Sequence, residues 1–401
     1  MDYTCAPAIA VVEVTAPAIR ELPELTGLRG LAAIWVLLFH AWAVCGEPSL
    51  GGYGLAAPFA LGWAGVDVFF VLSAFLLGMP FAAWRLGLAP RPALPRYFAR
   101  RVLRIFPAYY AQLGILLALA AAFGIGRMLD LHDFLAHLGL WLLIGEHPVM
   151  PLNGVWFTLP IEFAFYLVLP LLAVLLAPRR WQWLLLACVL LAFAYRWQAY
   201  FGVAAAPIPV RVNVIERFPG RIDQFVVGMV ASYFYIAWRG HGMPARWSAD
   251  CLLWLGLLIF AALCAAIYGV RATYWDGHPL LFCWHLLASL ALACVLLGCA
   301  LGSRAGGWLF GNRGVRYLGE ISFGVYLWHF PILIWIEPMF ASITSPGTRL
   351  ALVVPVLTGL TVAAAHLSYV LIERPFLRIG RPRQAHPSLV SELPAAPSQP
   401  T

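Results

Sequence analysis

The chain has 401 residues, of which 62% are hydrophobic and 11% charged, and its 26 basic residues, all arginine, outnumber the 18 acidic ones. The apolar residues form long blocks rather than the alternating or amphipathic patterns of a soluble core, which excludes a soluble globular domain. The composition therefore predicts an all-α, polytopic transmembrane helical bundle, with 17 tryptophans suited to the membrane interfaces.

Apolar blocks of membrane-crossing length recur along the chain. A hydrocarbon core of about 30 Å needs roughly 20 apolar residues in a helix. On this rule we predict about ten spans, at 28–46, 65–84, 105–125, 154–177, 182–202, 222–238, 251–270, 279–302, 317–338 and 350–372. The apolar block at 134–145 is shorter than a normal span and contains His137, so we expect a re-entrant or interfacial segment there.

The arginines orient these spans, because cytoplasmic loops carry the excess of positive charge. With ten spans and both termini cytoplasmic, most arginines fall on the inner side. Counting 134–145 as a full crossing would send most of the later arginines outward. One external loop, 203–221, still holds Arg211, Arg217 and Arg221. We expect it either to contact an anionic group or to be solvated.

Three segments follow from this pattern. We expect residues 1–24 to form a cytoplasmic N-terminal segment, 25–378 the transmembrane domain, and 379–401, rich in Pro, Ser and Arg, a disordered cytoplasmic tail. The eight cysteines have no metal-binding spacing, so we interpret them as reduced core residues and expect no metal. We expect the lipid bilayer, and no nucleic acid, as a partner.

The first predicted span carries two ionisable residues, Arg29 and His40. Eleven residues make almost three helical turns, so both side chains lie on one face, about 16 Å apart along the axis. An ionisable residue at that depth is costly and usually faces a cavity or a partner. We expect His40 near the bilayer midplane, where it either lines a cavity or bonds a neighbouring helix for packing.

Other predicted spans place polar side chains at bilayer depth. These residues are Asp67 and Ser73 in the second span, Glu162 in the fourth, and Ser322, Tyr326 and His329 on one face of the ninth. Ionisable and polar groups on separate helices predict a shared polar cavity. Hydrogen bonds that only pack one helix against another are the alternative for Asp67 and the two serines.

The segment before the third span is strongly basic. Arg96, Arg100 and Arg104 follow i, i+4, i+8 spacing, and Arg101 lies three residues before Arg104, so a helix would present a dense basic face. Guanidinium groups pair well with phosphates, and the N-terminus of the third span favours anions. A multiply phosphorylated cytosolic molecule or anionic lipid headgroups would suit this face.

Six motifs in order resemble the acyltransferase-3 family of membrane O-acyltransferases. They are Arg29 with ten residues before His40, GVDVFFVLSAFLLG, RYFARRVLRIFPAYY, NGVWFTLPIEFAFYLVLP, LGEISFGVYLWHFP and the closing IERPF. The resemblance covers residues from about 24 to 378. It implies a ten-helix protein of the bacterial inner membrane that moves an acetyl or other acyl group from cytosolic acyl-CoA to a hydroxyl. The acceptor is commonly a carbohydrate, a glycolipid or a glycosylated small molecule.

The resemblance also assigns residues by their place in the motifs. His40 matches the essential histidine and Arg29 its paired basic residue. Arg101 and Arg104, with which we group Arg100, match the arginines that handle the acyl donor. Glu162 matches the acid of the tryptophan-containing motif. The remaining cavity residues at family-typical positions are Trp156, Asp67, Ser73, Ser322, Tyr326 and His329.

Two departures from the family pattern are Ala74, where glycine is usual, and Phe323, where tyrosine is common. Both are expected to narrow or dry the cavity.

A mechanism follows from the resemblance and the predicted depths. Acyl-CoA docks at the cytoplasmic arginines, its thioester reaches His40, and the acceptor hydroxyl enters from outside. His40 acts as general base or forms a covalent acyl-histidine, and Glu162 orients His40 or binds the acceptor. A proton-coupled transporter or flippase is the alternative function, because buried ionisable groups suit it as well. A membrane scaffold is the third.

Overall fold

The computed structural model describes residues 22–49, 53–140, 142, 149–241 and 246–379. Most of the predicted N-terminal segment and of the predicted tail lies outside the described residues, so the proposed domain limits stay predictions. Seven of the eight cysteines fall within the described ranges, and all seven are free thiols.

The described chain is α-helical throughout, and no strand occurs among its elements. Short single-turn 3₁₀ segments and one π-helical turn, Tyr369–Glu373, connect the longer helices. In chain order the helices are α1 (Pro23–Val44), α2 (Tyr53–Ala60), α3 (Gly65–Arg85), α4 (Leu94–Phe123), α5 (Leu131–Gly139), α6 (Thr158–Leu172), α7 (Trp181–Val203), α8 (Ile208–Ile215), α9 (Phe218–His241), α10 (Arg246–Gly269), α11 (Pro279–Ala300), α12 (Arg304–Phe310), α13 (Arg313–Glu320), α14 (Ser322–Ile336), α15 (Pro346–Ser368) and α16 (Arg374–Ile379).

Nine helical segments in the described part of the chain are long and apolar enough to cross a membrane. They correspond to nine of the ten predicted spans and confirm a polytopic helical bundle. The remaining prediction, 222–238, lies in α9, which has 24 residues. Its first two turns carry Arg221, Asp223 and Gln224, all buried. Helix α9 packs against α3, α7 and α11, so it is a central helix whose polar groups face other helices.

The block predicted to be re-entrant or interfacial contains the short helix α5. Its nine residues extend about 14 Å, less than half of a bilayer core. Buried His137 holds α5 in place. Nε2 of His137 accepts from the Leu152 N–H at 2.9 Å, and the His137 carbonyl oxygen accepts from the Tyr109 hydroxyl at 2.8 Å. Residues 141 and 143–148 of this region lie outside the described residues.

Two close backbone contacts fix the helices that carry most of the candidate site. A Cβ added to Gly319 of α13 would lie 1.9 Å from the Thr26 carbonyl oxygen of α1. One added to Gly228 of α9 would lie 2.4 Å from the Val71 carbonyl oxygen of α3. Only a residue without a side chain lets two helix backbones come this close. Helices α1 and α3 are therefore tightly seated in the bundle.

The helices define two ends of the bundle. The N-termini of α1, α4 and α14 meet the C-terminus of α3 at one end, here called the arginine end because α4 brings its arginines there. The C-termini of α1 and α10 meet the N-terminus of α3 at the other, here called the opposite end. That the arginine end and both termini face the cytoplasm stays a prediction.

Candidate functional site

In the part of the chain that the structure describes, a cavity enters the bundle at each end. The arginine cavity, about 460 Å³, lies at the arginine end. The aromatic cavity, about 330 Å³, lies at the opposite end. Polar and aromatic residues that line the arginine cavity include Arg29, Arg100, Arg101, Arg104, Ser73, Glu162, Tyr166, Ser322 and Phe323. Those that line the aromatic cavity include Phe39, His40, Trp63, Glu216, Arg221, Arg271, Tyr274 and Trp275.

Val66 and Tyr326 line both cavities and form what we call the septum. The Tyr326 hydroxyl donates to the Val155 carbonyl oxygen at 2.9 Å and lies 2.8 Å from the Thr158 hydroxyl. These contacts anchor the ring from α14 to the start of α6. The cavities therefore abut at one valine and one tethered tyrosine.

The arginine cavity is strongly basic, because four arginines line it with one glutamate. The Arg101 guanidinium lies 5.7 Å from the centre of the Tyr166 ring, and that of Arg104 lies 5.6 Å from the Phe323 ring. Arg104 is also 4.0 Å from a carboxylate oxygen of Glu373. Aromatic faces hold the guanidinium planes without neutralising them. The cavity can therefore receive a group with several phosphates.

Glu162 lies in the arginine cavity. Its Oε1 accepts from the Ser73 hydroxyl at 2.9 Å and from the Tyr166 hydroxyl at 2.5 Å. His40 lines the other cavity, so these bonds do not support the expectation that Glu162 orients His40, and the alternative that Glu162 binds the acceptor stays a prediction. The sequence placed the two at similar depth, but depth does not say which neighbours separate two side chains.

The partner that the structure gives to His40 is His329. Nδ1 of His40 lies 3.0 Å from the Val36 carbonyl oxygen and 3.1 Å from Nε2 of His329. Nδ1 of His329, which is fully buried, lies 3.1 Å from the Val325 carbonyl oxygen. The two ring centres are 5.0 Å apart. The same-face prediction for α14 had placed His329 inside the bundle, and the structure adds its contact with α1.

These contacts select the tautomer of His40. A carbonyl oxygen only accepts, so Nδ1 of His329 carries the proton that faces Val325, and its Nε2 accepts when the ring is neutral. Nδ1 of His40 must then be the donor, shared between His329 and the Val36 carbonyl. Nε2 of His40 keeps its lone pair. A histidine in this state can take a proton from a bound hydroxyl.

His40 lies closer to one end of its helix than the sequence indicated. Helix α1 begins at Pro23 and ends at Val44, so His40 is about 25 Å from its start and about 6 Å from its end. The expected midplane position rested on a span that began and ended later. Arg29 and His40 still both face cavities, but one at each end of the bundle.

Asp67 belongs to a buried ion network and not to a cavity wall. Its Oδ1 accepts from Arg221 at 2.5 Å and from Gln224 at 2.7 Å, and its Oδ2 accepts from the Trp284 indole at 2.9 Å. The network ties α3 to α9 and α11. Packing, the alternative interpretation of Asp67, is the one that this geometry supports.

Trp156 is also a core residue rather than a cavity residue. It is fully buried, its ring centre lies 4.7 Å from that of Tyr109, and its indole donates to Oε1 of Gln112 at 2.9 Å. Gln112 in turn donates to the Leu327 carbonyl oxygen at 2.8 Å. Ser322 lines the arginine cavity and also packs, because its hydroxyl donates to the Gly319 carbonyl at 2.8 Å.

In the predicted external loop 203–221, Arg211 and Arg221 contact anionic groups, and these are carboxylates of the chain itself. Arg211 donates to the Trp275 carbonyl oxygen and to Asp276, both at 2.8 Å. Arg221 bridges Asp67 and Glu216. Burial alone would raise the pKa of Glu216, but the charges of Arg221 and His285 lower it to about 2. Asp67 and Asp276 come from distant segments, which sequence position does not reveal, whereas Glu216 lies in the same loop.

The two departures from the family pattern have different outcomes. Ala74 is fully buried, and a Cβ at Gly228 would lie 2.8 Å from its methyl group, so Ala74 packs α3 on α9 and does not narrow a cavity. Phe323 does line the arginine cavity, under the Arg104 guanidinium.

Five residues of the aromatic cavity were not singled out from the sequence. Trp63, Glu216, Arg271, Tyr274 and Trp275 come from the segments that join the helices at the opposite end. The sequence signal that could have indicated this cavity was the concentration of tryptophan, tyrosine and charged residues in those connecting segments. No spacing linked one segment to another.

The fold and the two cavities define a multi-pass membrane protein that can hold an anionic molecule at one end and present a basic imidazole at the other. Residues 22–371 match the acyltransferase-3 family, described as an acyltransferase domain, and the chain belongs to this family. It is therefore an acyltransferase, as the six motifs predicted.

Two relatives illustrate the family. The exopolysaccharide production protein ExoZ of Rhizobium meliloti (strain 1021) is 28% identical over 359 residues, which cover 87% of this chain and 96% of ExoZ. The peptidoglycan O-acetyltransferase OatA of Listeria monocytogenes is 25% identical over 382 residues, which cover 90% of this chain and 56% of OatA. No solved structure matches the chain.

Proposed function

We propose that this protein is an O-acyltransferase of the bacterial cytoplasmic membrane that moves an acyl group, in the first place acetyl, from acyl-CoA to a hydroxyl of a carbohydrate or glycosylated acceptor. The observation that carries the proposal is the relation between the two cavities. A four-arginine cavity and a cavity containing an unprotonated imidazole nitrogen meet at the septum.

The arginine cavity supports acyl-CoA as the donor. Coenzyme A carries a pyrophosphate and a further phosphate, and arginine forks bind such groups through paired, charge-assisted hydrogen bonds. With the nucleotide at Arg100, Arg101 and Arg104, the acyl end points along the cavity toward the septum. The positive-inside rule favours an orientation in which this cavity opens to the cytoplasm, where acyl-CoA is made.

His40 supports the acyl-transfer step. Its Nε2 takes the proton of the acceptor hydroxyl while the oxygen attacks the thioester carbonyl. The carbon–sulfur bond then breaks, the coenzyme A thiolate leaves, and the imidazolium returns the proton to the sulfur. Ester and thiol are the products. An acyl-histidine relay would use the same nitrogen as a nucleophile.

The names of the two relatives support the acceptor class. ExoZ is named for exopolysaccharide production and OatA for O-acetylation of peptidoglycan, so a saccharide hydroxyl is the acceptor proposed for this chain. Membership of an acyltransferase family sets aside the transporter and the scaffold, since neither needs an acyl-transfer domain.

Acetyl transfer by the purified protein tests the proposal. The protein in nanodiscs is incubated with radiolabelled acetyl-CoA and either cellotetraose or the N-acetylglucosamine tetramer, and free thiol and labelled saccharide are measured. We expect both products with wild type, and a loss of about 10²- to 10⁴-fold with His40→Gln at unchanged thermal stability.

Three results would contradict parts of this proposal. Normal turnover by His40→Gln would remove His40 from the chemistry. With the protein in liposomes of the same lipid, radiolabel that crosses the bilayer without release of thiol would indicate a carrier. A labelled histidine trapped when acceptor is omitted would replace the general base with the acyl-histidine relay.

A further inference from the structure

We infer that the aromatic cavity is a saccharide-binding subsite, with Trp63 and Trp275 as platforms for sugar rings and Glu216 and Arg271 as partners for sugar hydroxyls. This assignment rests on the proposed function and gives its acceptor a place in the fold.

Aromatic side chains form a fixed wall of the cavity. The ring centres of Trp63 and Tyr274 are 6.4 Å apart, and those of Tyr274 and Trp275 are 5.1 Å apart at a steep angle. Tyr274 is buried behind the two half-buried tryptophans. A pyranose ring presents a face of C–H groups that packs on such rings, while its hydroxyls point outward.

Polar groups stand where those hydroxyls would lie. The Glu216 carboxylate is held by Arg221 and by Nε2 of His285 at 3.2 Å, so its position is fixed before a ligand binds. Arg271 is exposed at the cavity mouth, stacks 4.3 Å from the Tyr268 ring centre, and donates one N–H to the Tyr268 carbonyl at 3.0 Å. A guanidinium has five N–H groups, so others can donate to a sugar.

The charge of the cavity favours a neutral ligand. Arg221 and Arg271 carry two positive charges, and Glu216 and Asp67, which both pair with Arg221, carry two negative ones. The arginine cavity, with four arginines and one glutamate, instead carries an excess of positive charge. A phosphorylated donor therefore belongs at the arginine end, and an uncharged polyhydroxyl compound fits the opposite end.

The same cavity contains His40, which gives the subsite its direction. Arg271 marks the mouth at the surface, whereas His40 and the septum residue Tyr326 line the wall shared with the acyl-transfer chemistry. A saccharide that enters past Arg271 and stacks on the tryptophans presents a hydroxyl toward Nε2 of His40.

Separate kinetics for the two substrates test the assignment. Trp275→Leu removes a platform but leaves the main-chain bond between the Trp275 carbonyl and Arg211 in place. Arg271→Gln removes the donors at the mouth. Trp254→Leu is the matched control, since Trp254 is 48% exposed on α10 and is not among the residues of either cavity. Nanodiscs are used because maltoside detergents carry a sugar.

We expect Trp275→Leu and Arg271→Gln to raise the KM for cellotetraose or the N-acetylglucosamine tetramer about tenfold, with the KM for acetyl-CoA within twofold of wild type. Trp254→Leu should change neither. Direct binding of the tetrasaccharides, measured by quenching of tryptophan fluorescence without acetyl-CoA, should weaken in the same two variants.

Unchanged acceptor KM and binding in both variants would overturn the assignment. A rise in the acetyl-CoA KM alone would also overturn it, because the cavity would then hold the donor. Saccharide binding that depends on Trp275, without thiol release from acetyl-CoA, would support the subsite and overturn the proposed function instead.

Discussion

At the scale of single residues, the state of His40 depends on a contact with a residue 289 positions away in sequence. His329 accepts at Nε2 only because its own Nδ1 faces the Val325 carbonyl. Val36, one turn before His40, provides the second acceptor. Two backbone carbonyls and one imidazole therefore decide which nitrogen of His40 is open to a substrate.

Substitution of His329 should change turnover more than donor binding. His329→Leu removes the acceptor for Nδ1 of His40, and we expect kcat to fall about 10²-fold at an unchanged acetyl-CoA KM. His329→Gln offers a carbonyl oxygen in its place and should retain at least tenfold more activity than the leucine variant. Thiol-release kinetics with both substrates measure the difference. Equal loss in both variants, accompanied by equal loss of thermal stability, would reduce His329 to a packing residue.

The sequence could predict part of this residue-level arrangement. A histidine in an apolar block is costly, so its placement against a cavity or partner followed from physical chemistry alone. The identity of the partner did not, because it depends on how α1 and α14 pack. The same limit applies to Asp67, for which the sequence left packing and cavity as equal alternatives.

At the scale of elements, the arginine spacing predicted from the sequence forms a basic face on α4. All four arginines of the predicted basic face lie on this 30-residue helix. Three of them, Arg100, Arg101 and Arg104, line the arginine cavity, whereas Arg96 is exposed and is not among its lining residues. The helix thus supplies both the proposed donor-binding groups and a control.

Replacing the arginines of α4 that line the arginine cavity with neutral residues should selectively weaken binding of the donor. For Arg101→Gln and for Arg104→Gln we expect the KM for acetyl-CoA to rise about tenfold each, because each change removes charge-assisted hydrogen bonds to phosphate. Arg96→Gln should stay within about twofold, as expected for a solvated charge. Initial rates at varied acetyl-CoA and saturating acceptor give these values. An effect of Arg96→Gln equal to the other two would point to long-range attraction rather than to a donor site.

The helices and their ends show how far apolar length predicts the membrane spans. Nine of the ten spans that apolar length predicted are, in the described part of the chain, helices long and apolar enough to cross a membrane, since lipid contact requires apolar side chains over a whole helix. Apolar length is a weaker guide to α9. This helix is surrounded by α3, α7 and α11, so it can bury Arg221 and Asp223 against partners. The ends of α1 were misjudged by a few residues, so His40 lies nearer to the end of its helix than expected, and its position at the bilayer midplane stays a prediction.

At the scale of the whole molecule, the two cavities give each substrate its own entrance. The proposed donor enters among arginines and the proposed acceptor enters among aromatic rings, and the two septum residues line both cavities. Acyl transfer then requires the acyl carbonyl to reach His40 past Tyr326. Because the tethered ring lines both cavities, we expect it to limit the size of the acyl group that can pass.

Enlarging the septum should therefore change acyl-chain selectivity. Tyr326→Ala removes the ring, and we expect kcat/KM for hexanoyl-CoA relative to acetyl-CoA to rise at least about tenfold, since each methylene accommodated in an apolar pocket is worth about 1–3 kcal/mol. Tyr326→Phe keeps the ring and loses only the bonds to Val155 and Thr158, so its selectivity should stay near that of wild type. Competition between the two donors measures the ratio directly, whatever the loss in absolute rate. If both variants keep the wild-type ratio, Tyr326 does not limit the acyl group, and the thioester must reach His40 by another route.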